Sequence, residues 1–258
     1  MKNRFLIGAL TMLLIACVQN TEQNLEEARF LLDQGKFSQA VSLLEPILVD
    51  EPSNTEAKFL LASAYVGEAA LSPNHNCQST DTGYLGTLAC LLDDKSADDD
   101  SGLKTFNRIS PDNNDLDDEL QRAIDLLVSV KKFNDKTPEK DVALQRLIAR
   151  VFAISAVFKT VEANSPNTQC NGGGPGVDDV PDDYDSSVLT SAQASNFRKN
   201  LEGIKADATI VGFADDFNLV TRINDILASL DAIGGSTLNS VKTAFDNAYN
   251  SAPQQVCN

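Results

Sequence analysis

Five cysteines and one histidine set the first limits on chemistry. Cys17, Cys77, Cys90, Cys170 and Cys257 are an odd set, so pairing alone cannot account for them. A zinc site could draw on His75, Cys77 and Cys90. No Cys-x-x-Cys pair is present, however, and a fourth ligand would have to come from far along the chain. Nucleophilic catalysis by serine or cysteine calls for a base beside the nucleophile, and His75 sits in a polar stretch. Two aspartate clusters could offer oxygens to calcium: Asp93, Asp94, Asp98, Asp99 and Asp100, then Asp178, Asp179, Asp182, Asp183 and Asp185. Neither follows the helix–loop–helix spacing with its closing Glu, and both read as solvated charge runs. The stretch "NGGGPG" lacks the Lys and helix start of a phosphate cradle. The expectation is a protein without catalytic residues, resident metal or cofactor.

Cys17 differs from the other four in its position. Lys2 and Arg4 precede an uncharged run, "FLIGALTMLLIA", that closes on it. A membrane span needs about 20 apolar residues, and this run is shorter. A basic flank followed by a short apolar stretch is the plan of an export signal. Leu14-Ile15-Ala16-Cys17 resembles the lipobox of bacterial lipoproteins. The resemblance implies that the Cys17 thiol takes a diacylglycerol and that cleavage before it leaves Cys17 as the new N-terminus. The partner it implies is a membrane, reached through covalent lipid at Cys17; two or more acyl chains give stable anchoring. Val18 follows the cysteine where an Asp would favour inner-membrane retention in enterobacterial lipoproteins. The resemblance therefore points to the outer membrane, facing the periplasm.

With Cys17 committed to lipid, four cysteines remain, an even number suited to an oxidising compartment. They allow three pairings. Cys77–Cys90 would close a short local loop, and Cys170–Cys257 would pin the tail "QQVCN" to a Gly-rich loop; these two are favoured. The formal net charge of −16 argues against nucleic acid and against anionic headgroups bound through a basic patch. There is no Trp, and aromatics make up 6% of the chain, which disfavours a β-sandwich or barrel.

The elements that would carry any function read as helices throughout. Residues 23–70 place Ala28, Leu31 and Leu32, then Ala40, Leu43, Leu44 and Ile47, at helical spacing. Gly35 sits between the two runs, where a tight turn needs it, and Pro52 stops the second. This stretch resembles a tetratricopeptide repeat, a helix–turn–helix unit of 34 residues. In that resemblance Ala28, Ala40 and Ala62 take the small positions. Leu31, Leu44 and Tyr65 take the large packing positions, Gly35 the turn and Pro52 the repeat's end. Asn24 and Ile47 depart from the pattern. Such repeats bind protein segments in the groove lined by their first helices, which implies a candidate surface of Asn24, Arg29, Lys58 and Tyr65.

Beyond Ala70 the register is lost. Residues 72–115 read as an irregular connection with a short helix near Tyr84–Leu92. Further helices are predicted over 115–133, from Glu139 through Val161, over 191–207, over 213–231 and from Thr237 onward. The helix opened by Thr137-Pro138-Glu139 is apolar over so much of its circumference that it belongs between neighbours. Residues 164–189 read as a long acidic loop. The expected organisation is a signal segment at 1–16, lipidated N-terminus and repeat-like helices at 17–71, the connection at 72–115 and a helical region at 116–258. The fold class is all-α: tetratricopeptide-like hairpins continuing into a bundle or irregular α-solenoid. The expected role is a non-enzymatic, lipid-anchored scaffold or adaptor of the cell envelope. The alternative is a solute-binding component, since the plan also weakly resembles tetratricopeptide lipoproteins associated with periplasmic transporters; Phe152 or Phe213 would then line a cavity.

Overall fold

The first two apolar runs form a hairpin because a single residue between them can turn left-handed. In a computed structural model, which describes residues 21–70, 116–130, 139–163, 189–213, 218–234 and 237–250, Gly35 adopts φ +69°. The Gly35 N–H donates to Leu32 O at 3.0 Å and the Lys36 N–H to Leu31 O at 2.9 Å, which satisfies carbonyls left open at the helix end. That turn separates α1 (21–33) from α2 (Phe37–Asp50). Pro46 lies inside α2 on its exposed side. Asn54 starts α3 (Thr55–Ala70): its side-chain oxygen accepts from the Ala57 N–H at 2.9 Å. The Phe37 ring lies against Gly67 of α3 so closely that a Cβ at 67 would overlap it. Ser38 reaches Glu68 while Glu45 reaches Tyr65, so α2 and α3 run antiparallel.

The remaining helices are α4 (Leu116–Val128), α5 (Glu139–Ala163), α6 (Ser191–Val211), α7 (Asn218–Ala232) and α8 (Leu238–Asn250). Among the described residues there are eight helices and no strand, so the fold class is all-α. α4 buries one stripe, Leu120, Ala123, Ile124 and Leu127. α5 is buried on nearly all sides, as its composition predicts, because it packs on α3, α4 and α6. Glu139 and Asp141 in its first turn face the positive end of the helix dipole. α6 opens with a capping box: Thr190 accepts from the Gln193 N–H, and the Gln193 side chain accepts from the Thr190 N–H.

From α2 to α7 the strongest packing is between consecutive described helices, with a further contact of α3 on α5, while α8 rests equally on α6 and α7. The described helices share one hydrophobic core, from Leu25 and Ala28 in α1 to Val241 and Ala244 in α8. Phe152 is fully buried within it, and Phe213 packs against its edge. Three predicted boundaries shift. α6 runs to Val211 rather than 207, and Gly212 at φ +97° ends it, with the Gly212 and Phe213 N–H groups both closing on Ala208 O. Phe213 therefore belongs to the end of α6, not to α7, which the structure describes from Asn218. α4 ends at Val128, where Ser129 and Val130 close a turn onto Leu126 and Leu127.

Candidate functional site

Two groups of polar side chains stand out against the apolar core. The first joins α2, α3 and α4 around Tyr65. Its ring is 2% exposed and its hydroxyl donates to Glu45 Oε1 at 3.0 Å. The Arg122 guanidinium lies 5.6 Å from the ring centroid and also reaches Glu45 Oε1 at 2.7 Å. Burial, followed by the hydrogen bond to Glu45, pushes the Tyr65 phenol up to about 12. Tyr65 thus packs as a core side chain and offers no free surface. Of its companions in the predicted groove, Arg29 is ion-paired with Glu26 and Glu56, and Asn24 and Lys58 are half-buried. The residues assigned to packing positions divide similarly. Ala28, Ala40, Leu44 and Ala62 are fully buried, Leu31 packs against the core, and Pro52 is exposed in the turn before α3.

The second group lies between α4, α5 and α6. Arg146 and Arg150 are four residues apart on α5, so they share one face. Asn200, Gly203 and Asp207 line the facing side of α6. Arg146 meets Asp207 while Arg150 meets Asn200, so the two helices run antiparallel. Arg146 Nε donates to Asp207 Oδ1 at 2.8 Å and Oδ2 at 3.0 Å, and its Nη2 also pairs with Oδ1. Its Nη1 reaches Leu127 O on α4 at 3.3 Å. Arg150 Nε donates to Asp207 Oδ2 at 3.2 Å and its Nη1 to Asn200 Oδ1 at 3.2 Å. Asn200 continues to Gln121 of α4 at 3.4 Å. The side chains are 14%, 12% and 3% exposed for Arg146, Arg150 and Asp207.

Space for this network comes from Gly203. A Cβ there would overlap the Arg150 guanidinium, which lies flat against the α6 backbone. Burial draws the Arg150 guanidinium below its ordinary range, and the Asp207 charge opposes that shift. The network ties three helices together but supplies no reactive group. A guanidinium has no lone pair to accept a proton, and the Asp207 oxygens are occupied by its donors. Sequence reasoning did not single out Arg146, Arg150 or Asp207. The signal was present: two arginines four apart inside the most apolar helix must be paired if that helix is buried.

α3 and α5 share a smaller link. Gln145 Nε2 donates to Ser63 Oγ, and the Ser63 hydroxyl donates to Phe59 O at 2.9 Å. Among the described residues no cluster of His, Cys, Asp and Glu could hold a metal ion, and no helix is long and apolar enough to cross a membrane. Cys17, Cys77, Cys90, Cys170, Cys257, His75 and both aspartate clusters lie outside the described residues, as do the segments 72–115 and 164–188. No family model, curated protein or solved structure matches the chain.

Proposed function

We propose that this chain is a lipid-anchored protein of the bacterial cell envelope, facing the periplasm, whose helical body serves as a protein-interaction scaffold. The observation that carries the reading is Leu14-Ile15-Ala16-Cys17 behind a basic flank and an uncharged run, followed by a chain whose described residues are all-α. A covalent lipid at Cys17 would hold the body at the membrane without requiring a span. The scaffold half of the reading draws on the 34-residue register of Ala28 and Ala62 and on the burial of Ala28, Ala40 and Ala62. It also draws on the chemistry of the described helices, whose buried charges are committed to one another rather than aimed at a substrate.

Crosslinking in the intact envelope followed by purification of the full chain tests the scaffold role. The expected result is a small set of discrete, reproducible adducts. A chain that stays solitary under conditions that crosslink known neighbours in the same envelope contradicts it.

A further inference from the structure

The solvent-facing side of α1 carries one large apolar side chain in an acidic frame. Leu25 and Ala28 turn into the core, and Leu32 packs beside them. At about 100° per residue, Phe30 falls on the opposite side of the helix, and it is 62% exposed. Its neighbours three and four residues away are Glu26, Glu27, Asp33 and Gln34, all exposed, and Glu22 extends the same arc. Arg29, also on α1, is turned aside to Glu26 and Glu56. Among the described residues no cation pairs with Glu27 or Asp33. An aromatic ring ringed by carboxylates has the plan of an interface anchor with a charged rim.

We propose that this face of α1 docks a segment of a partner protein that carries an apolar patch flanked by Lys and Arg. The proposal rests on the scaffold reading and adds to it the surface and the partner's chemistry. Charge complementarity selects the occupant. A basic rim on the partner is steered toward the acidic arc and lets Phe30 leave water at the centre. A second copy of this chain would bring the same carboxylates against themselves across a two-fold axis, which disfavours self-association through this face. Anionic headgroups and nucleic acid meet the same repulsion, from this arc and from a chain of net charge −16.

The chain contains no tryptophan, so Phe30→Trp gives a single indole reporter at the proposed contact. The probe is a synthetic helix-forming peptide with Leu along one face and Lys and Arg along its flanks. Its addition should shift the indole emission to the blue, saturably, and protect it from a soluble quencher. The same peptide with Glu in place of its basic residues should bind at least tenfold more weakly. Relative to the unsubstituted chain, Phe30→Ala should lower the affinity for labelled basic peptide about tenfold, and Glu26→Gln, Glu27→Gln and Asp33→Asn combined should lower it by a similar amount. Equal binding of basic and acidic peptides overturns the proposal, as does Phe30→Ala binding that is unchanged. A blue shift with phosphatidylcholine vesicles but not with the peptide overturns it in favour of a membrane surface. Photocrosslinkers at Phe30, Val49 and Thr209 of the full chain separate the two levels of claim. Adducts from the other positions but none from 30 leave the scaffold reading standing and remove this face from it; adducts from none remove both.

Discussion

Asp207 is the residue on which most buried charge converges, since it accepts from both Arg146 and Arg150 while 3% exposed. Removing one partner of a buried ion pair leaves charge without compensation, which typically costs about 3–5 kcal/mol. Asp207→Ala is therefore expected to lower stability by that amount in denaturant titration. Replacing Asp207, Arg146 and Arg150 together by apolar residues of similar size should recover much of the loss. Gly203→Ala should act on the same network by displacing the Arg150 guanidinium. Tyr65 gives a separate test with a pH axis. Its phenol ionises at about 12 in the folded chain against an ordinary 10.0. The folded state thus holds the proton more tightly than the unfolded chain. The stability this provides is complete below pH about 10 and is lost as pH rises toward 12. Tyr65 should titrate late when followed by phenolate absorbance, and Tyr65→Phe should remove that late step.

At the scale of elements, the turns make the sharpest predictions. Gly35 and Gly212 sit at φ +69° and +97°. A Cβ in the left-handed region costs about 1–2 kcal/mol, so Gly35→Ala and Gly212→Ala should each destabilise by that order in thermal unfolding, without loss of helix content. Asn54→Ala and Thr190→Ala, which delete N-caps, should cost about 1 kcal/mol each. These elements also show how far the sequence could be read. Apolar stripes such as Leu120–Ile124–Leu127 and the all-round apolar α5 declare helices and their burial directly, and Gly35 marks its turn. The α6 boundary was not legible, because Phe213 and Phe217 continue the apolar spacing of α7 backward while the backbone at Gly212 ends α6. A helix over 191–207 would end at Asp207, whereas in α6 that residue is interior and buried. The Tyr65 environment was only half legible: periodicity assigns its packing position, but the capture of its hydroxyl by Glu45 depends on how α2 and α4 meet around it.

Across the described helices, one core links α1 to α8, and polar ties cross it at Gln145–Ser63 and around Asp207. Helices that share one core unfold together when no segment can shed its apolar face alone. A chain of net charge −16 resists lying on an anionic surface, so the proposed attachment to a membrane would fall to Cys17. Everything proposed for the chain's place in the cell follows from that residue, and metabolic labelling with a radioactive fatty acid examines it most directly. The unsubstituted chain should incorporate label and fractionate with membranes; Cys17→Ser should lose the label and accumulate as unprocessed precursor or free protein. Label retained on Cys17→Ser, or absent from the unsubstituted chain, contradicts the account.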